Sequence, residues 1–390
     1  MIDIETLAAQ ANEELARLVA FDTTSRDSNL YLIEYVEHLL AGLGIGSRRI
    51  ANADGTKANL LATIGPMEAG GVVLSGHTDV VPVDGQAWSS DPFRLIQRGE
   101  RLFGRGTCDM KGFIALALAT APHFVSGQMK RPIHLAFSYD EEIGCLGAPD
   151  LIREIAASVP PPSAVIVGEP TGMVAVSGHK GIASYKVTVC GHEAHSSQTH
   201  LGASANMAAI KLLGSLDGLA ERLKRDADPA SPYQPKETTL TVGLLNGGTA
   251  GNILARRCEF VFDVRTSPGV DVRALLASFH EEVAEMDAAL KARFPDAGAQ
   301  IETRAINPAL APETNGPAEA LARTLAGDNG PPRVVPYAAE AGQFQQAGYS
   351  VVICGPGFID QAHQPDEFVE IAQMQRGAAF MARLAESMRN

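Results

Sequence analysis

The 390-residue sequence has no C-x-x-C pair among its five cysteines, no apolar run near the roughly 18 residues that a membrane-spanning helix needs, and no excess of basic charge. Each absence removes a class of function. Cys108, Cys145, Cys190, Cys258 and Cys354 are odd in number and far apart, which argues against a disulfide framework and for reduced thiols. The balance of 32 basic against 45 acidic residues, net −13, disfavours nucleic acid and anionic lipid as partners. There is no G-x-x-x-x-G-K-[ST], and GLGIGS (42–47) follows a helical pattern rather than a strand, so it reads as a helix stop and not as a phosphate loop. The G-x-S-x-G turn of a serine hydrolase is missing as well.

What is present is ordinary for a globular enzyme. Hydrophobic residues make up 45% and charged residues 20%, and the length suggests two to three domains. The opening MIDIETLAAQANEELARLVAF carries acids within an amphipathic helical pattern where a signal peptide would show a basic and then an apolar region, so a cytoplasmic address is expected.

Strand-like runs (NLLATIG, GVVLSGH, IHLAFSYD, AVIVGE) alternate with helical stretches (GFIALALATAPHFV, PDLIREIAASV), the pattern of an α/β sheet flanked by helices. From Gly178 the pattern changes to strand, helix, strand, strand, helix, with period-two alternation in ASYKVTVCGH, TLTVGLLNGG and RCEFVFDVRT. After a helix ending near Phe294 the first pattern returns, with VVICGPG and a terminal helix from about Phe368. The expected architecture is a mixed-sheet α/β catalytic domain with helices on both faces (1–178 and 295–390), interrupted by a smaller α+β domain at 179–294.

Polar residues of ligand type collect where apolar runs end. His77 and Asp79 follow GVVLSG, Asp109 lies in GRGTCDMKG, Glu141 and Glu142 lie in SYDEEIG, Glu169 lies in VGEPTG, and His363 follows VVICGPG. In open α/β sheets ligands bind beyond the carboxyl ends of the strands, so these stations can converge in one crevice. Singly, each has an ordinary explanation, such as a helix cap for Asp109 or a turn for Glu169. Together they supply the imidazole and carboxylate donors of a metal site. Three carboxylates and two neutral imidazoles around two divalent cations leave about one net positive charge, and one carboxylate can bridge both ions. The remaining acid of the Glu141–Glu142 pair is then free to take a proton from water and pass it to a leaving amine; the sequence does not say which of the two it is.

The strings GHTDVVP, GRGTCDMKG, DEEIG and VGEPT, with His363 following, resemble the co-catalytic zinc amidohydrolases, a family that includes aminoacylase, carboxypeptidase G and succinyl-diaminopimelate desuccinylase. The resemblance runs over essentially the whole chain. GQAWSSDPF (85–93), GHKG (178–181), LNGGTAGN (245–252), EAGQFQQAG (340–348) and GPGFIDQAHQPDEF (355–368) are most similar to the acetylornithine deacetylases within it. It implies His77, Asp109 and Glu169 on one zinc or cobalt ion, Asp109, Glu142 and His363 on a second, Glu141 as general base, and Asp79 as the partner that orients His77. It further implies a homodimer built through the inserted domain, which also acts as a lid, and a small N-acyl amino acid as substrate.

Within the insert, His192 and His195 stand three apart after a strand, whereas H-E-x-x-H needs four on a helix face, so a zincin site is not expected. The resemblance instead implies that His195 donates a hydrogen bond to the oxyanion, often across the dimer, and that Asn252 and Arg265 hold the substrate, with Glu340 meeting its ammonium group. Ala339 stands where related deacetylases often carry a hydroxyl, which weakens the expectation for Glu340. The rival from another class, a non-catalytic binding protein on the same fold, should have lost some of these residues; this chain keeps all five ligands and the base.

Overall fold

The structure, a computed structural model, describes residues 2–389; Met1 and Asn390, the outermost ends of the expected catalytic segments, lie outside the described residues. The chain divides into two compact units, one of Met1–Gly178, Leu310–Arg333 and Ala339–Asn390, the other of His179–Ala309 with Val334–Ala338.

The first unit is built on a six-stranded sheet in the order Ser47–Ala51, Ala58–Ile64, Ile133–Ser138, Val72–His77, Ala164–Pro170, Val351–Gly355. The last four run parallel and the first two are antiparallel additions, which makes the sheet mixed. VVLSGH, IHLAFS, AVIVGEP and VVICG are buried at every position, as strands covered on both faces must be. The helix Lys111–Val125 (KGFIALALATAPHFV) is apolar almost all round because it lies between the sheet and the helices Ile4–Val19 and Ile371–Ser387. Its approach is close: a Cβ at Gly168 would fall 2.0 Å from Cγ of Phe113, so the residue before Glu169 has to be glycine.

The terminal helix begins at Ile371, three residues later than the sequence pattern indicates. Phe368–Glu370 pairs antiparallel with Arg101–Phe103 in a small three-stranded sheet, where the rings of Phe103 and Phe368 pack with centroids 5.4 Å apart.

The second unit is a four-stranded antiparallel sheet in the order Thr239–Gly247, Arg257–Thr266, Gly181–Cys190, Gly298–Asn307. The helices Ala205–Arg225 and Ala277–Arg293 pack against it, and their apolar residues form one core with the inward residues Tyr185, Val187, Phe260 and Phe262. Here the sequence-based boundary at 294 requires correction. Gly298–Asn307 is an edge strand of this sheet, so the unit runs on to Ala309; its charged residues Glu302 and Arg304 mask the alternation that marks the other strands. No helix among the described residues is long and apolar enough to cross a membrane.

Candidate active site

All seven polar residues that follow apolar runs in the sequence belong to the first unit. His77 is the last residue of the central strand Val72–His77 and is fully buried. Its Nδ1 donates to the backbone carbonyl of Asp79 at 2.9 Å, which leaves Nε2 for the site, and Oδ1 of Asp109 lies 3.0 Å from that Nε2. The expected steadying of His77 by the Asp79 carboxylate therefore runs through the carbonyl, since the nearest carboxylate oxygen is 3.6 Å away. That carboxylate does other work: it accepts from the N–H groups of Glu141 (3.1 Å) and Glu142 (3.3 Å) and from Oγ of Ser25 (2.6 Å), tying the strand end to the DEEIG turn.

Asp109 lies just before the helix Lys111–Val125, whose N-cap is Met110, so it is not acting as a side-chain cap. Its second oxygen, Oδ2, lies 3.2 Å from Nε2 of His363, which is also 3.0 Å from Oε2 of Glu142. Glu169 Oε1 completes the other side at 3.7 Å from His77 Nε2. Ligand-type atoms within 4.8 Å of one another form two sets, His77–Glu141–Glu169 and His77–Asp109–Glu142, and His363 adjoins the second through Asp109 and Glu142. Glu141 is also near, its carboxylate within 4.8 Å of ligand atoms on His77 and Glu169. It differs from Glu142 in its hydrogen-bond partner: Oε1 of Glu141 accepts from the Cys145 thiol (3.3 Å), whereas Oε2 of Glu142 lies 3.0 Å from Nε2 of His363.

The electrostatics fit two cations. Burial and the charge of Asp109 push Glu142 up to about 7, and burial with the charge of Glu142 pushes Glu141 up to about 8 despite the opposing charge of His77. Burial and Asp109 likewise raise Glu169 well above the usual carboxylate range. Burial opposes the charge of Asp109 too, but the imidazoles of His363 and His77 hold it low. Those imidazoles are held protonated in return: burial disfavours the charge on His77, yet Asp109 and Asp79 raise it well above its ordinary value, and Asp109 and Glu142 raise His363 to about 10. Protons are thus bound at positions where metal ions would replace them, which is the linkage expected of a carboxylate and imidazole donor set.

The remaining predicted residues divide. Glu340, expected at a substrate ammonium, is only 1% exposed, and its two oxygens accept from Oγ of Ser75 (2.5 Å) and Ser138 (2.8 Å). It thereby braces two strands of the sheet. In the second unit, His195 is exposed and its Nδ1 accepts from the Ser197 N–H at 3.2 Å, so Nε2 carries the proton of the neutral ring. Asn252 is exposed, and its carbonyl receives the Ser196 N–H at 2.9 Å. Arg265 lies on the sheet face away from the core residues Phe262 and Val264, with Nε on Asp263 at 2.9 Å. His192 stacks on Phe294 and pairs with Asp296, clear of any metal cluster among the described residues.

Residues 73–387 match Peptidase family M20/M25/M40. The chain belongs to this family. An acetylornithine deacetylase from Myxococcus xanthus is 35% identical over 377 residues, covering 95% of each chain. Among solved structures, an M20 family metallo-carboxypeptidase from Sulfolobus solfataricus superposes with a TM-score of 0.77 at 18% identity, covering 97% of this chain and 99% of that one. A dinuclear metal binding peptidase of the M20 family from Bacillus subtilis gives 0.68 at 14% identity, covering 99% of each. As a member of this family the chain is a metal-dependent amidohydrolase.

Four residues around this site carry no role in the sequence reading. Cys145 holds Glu141, and Gln86, Arg105 and Glu367 surround the loops of Asp109 and His363. Gln86, Arg105 and Glu367 lie in strings that resemble the family and Cys145 directly follows one, but only as neighbours of the ligand-type residues; no spacing rule marks them.

Proposed function

We propose that the chain removes the acetyl group from N2-acetyl-L-ornithine, giving L-ornithine and acetate, as a step of arginine biosynthesis in the cytoplasm. One observation carries the two-metal part of this reading: each oxygen of Asp109 faces a different imidazole, His77 or His363, as a carboxylate bridging two ions requires. The name of the Myxococcus relative supports the substrate.

His77, Asp109 and Glu169 would hold one zinc or cobalt ion and Asp109, Glu142 and His363 the other. Imidazole and carboxylate donors suit either metal. When bound, the two ions polarise the amide carbonyl and make water a better nucleophile at neutral pH. Glu141, next to the ligand Glu142 and bonded to the Cys145 thiol, takes the proton from the attacking water and passes it to the departing amine. The proton on Nε2 of His195 makes that ring a donor for the developing oxyanion, while Asn252 and Arg265 hold the substrate, the guanidinium on its carboxylate. Asp79 keeps Glu141 and Glu142 in register through their N–H groups.

A second copy of the chain docks on the second unit. The strand Thr239–Gly247 is an open edge bearing exposed Val242, Leu244 and Leu245, and Met207 and Ile210 are exposed on the helix Ala205–Arg225. Such apolar surface supports a homodimer interface. Sedimentation of the parent and of Leu244→Glu tests it, with a dimer expected for the first and a monomer for the second.

The activity is tested by measuring kcat/KM on N2-acetyl-L-ornithine, N-succinyl-diaminopimelate, N-acetyl-methionine and simple dipeptides, with zinc, with cobalt and with chelator. The highest value is expected on N2-acetyl-L-ornithine, lost with chelator. A higher value on any of the others would transfer the enzyme to that substrate.

A further inference from the structure

A closed ring of interactions links the two loops that carry Asp109 and His363. The Glu367 carboxylate accepts four hydrogen bonds from the loop before the helix Lys111–Val125: Oε2 from Nη1 of Arg105 (2.7 Å) and the Gly106 N–H (3.0 Å), Oε1 from the N–H groups of Cys108 (2.9 Å) and Asp109 (3.1 Å). The other terminal nitrogen of Arg105, Nη2, donates to Oε1 of Gln86 at 2.6 Å, and Nε2 of Gln86 donates to the backbone carbonyl of His363 at 2.9 Å. The imidazole of His363, 3.2 Å from Asp109, closes the ring.

The ring has a job to do at His363. This side chain is 51% exposed, whereas those of His77, Asp109, Glu142 and Glu169 are each 6% exposed or less, and its backbone has φ of 61°, a left-handed conformation unfavourable for a non-glycine residue. Packing therefore fixes His363 least of the five, and the Gln86 amide is the hydrogen-bond donor that meets its carbonyl. Arg105 and Glu367 are each only 1% exposed, and the Arg105 guanidinium lies over the Trp88 ring, 5.0 Å from its centroid, so the anchor on which Gln86 rests is rigid.

We propose that Gln86, Arg105 and Glu367 form a positioning bracket that sets the places of Asp109 and His363 and thereby the affinity for the metal ion on the His363 side. This rests on the ligand assignment proposed above. Residues that orient metal ligands without touching the metal commonly govern affinity by about 10–100-fold. Gln86 allows a clean test because it is only half-buried and neutral, so its replacement strands no buried charge.

The experiment uses full-length protein stripped of metal and titrated with zinc against a competing chromophoric chelator. A parallel cobalt titration follows the visible absorption of the bound ion, which reports ligand geometry. Gln86→Met removes both links of the residue at similar volume. Gln86→Glu keeps the acceptor for Arg105 and Trp88 but loses the donor to the His363 carbonyl. Both variants are expected to bind the first ion as the parent does and the second at least about tenfold more weakly, with an altered cobalt spectrum and a melting temperature of the stripped protein within about 2 °C of the parent. Parental affinity for both ions in both variants would overturn the bracket, as would an equal loss at both sites, which marks general loosening. His363→Ala separates the two ideas. If it loses the second ion while the Gln86 variants do not, the bracket alone fails; if it keeps both ions with parental affinity, the ligand assignment fails and the bracket with it.

Discussion

Asp109 stands between two imidazoles, with Oδ1 3.0 Å from Nε2 of His77 and Oδ2 3.2 Å from Nε2 of His363. A carboxylate so placed is shared by both halves of the site, and its removal should not have the same effect as removal of either imidazole. His363→Ala is expected to leave one tightly held metal ion per chain, and Asp109→Ala to weaken both. Elemental analysis after exhaustive dialysis distinguishes the cases, and two ions retained in Asp109→Ala would rule out the bridging role.

Glu141 and Glu142 are neighbours in sequence with different partners, a thiol for one and an imidazole for the other. Glu141→Gln should therefore keep two ions per chain while kcat falls by roughly 100-fold or more, the usual scale for loss of a positioned acid–base group. If an ion is lost along with turnover, Glu141 is a ligand and the base lies elsewhere.

How far the sequence reaches is visible in these same residues. The residues proposed as ligands are legible because strand ends concentrate function: His77 closes one buried strand, Glu169 lies at the end of another, and Glu142 and His363 follow two more. The choice between Glu141 and Glu142 is not, because adjacent acids differ only in which way they face. Gly298–Asn307 escapes as a strand because charged side chains interrupt its alternation, and the contacts of Glu367 join residues about 260 apart, beyond any local pattern.

His195 is exposed, so its loss should cost catalysis and not folding. His195→Ala is expected to keep the parental melting temperature and metal content while kcat drops by about 100- to 1,000-fold, the scale for removal of one oxyanion donor. Parental turnover at saturating substrate would take the oxyanion role away from it.

Away from the site, His134 should make the fold sensitive to acid. It is completely buried in the strand Ile133–Ser138, Nδ1 lies 3.0 Å from Oγ1 of Thr63, Nε2 has no hydrogen-bond partner among the described residues, and burial pushes its pKa down to about 4. The unfolded chain, with histidine near 6.5, takes up a proton that the folded chain refuses between pH 6.5 and 4. Stability is therefore full above that window and falls as the pH drops through it, by at most about 3 kcal/mol from this residue. Denaturant unfolding of parent and His134→Gln at pH 7.5 and 5 checks this: the variant should lose less stability on acidification. Equal losses would show that His134 does not carry the effect.

The most direct test of the two-metal amidohydrolase reading is to strip the enzyme of metal and follow hydrolysis of N2-acetyl-L-ornithine as zinc or cobalt is returned in measured equivalents. No turnover without metal and full turnover by two equivalents per chain are expected, because both donor sets share Asp109. Turnover that persists in chelator, or none on any of the amides with two ions bound, would contradict it.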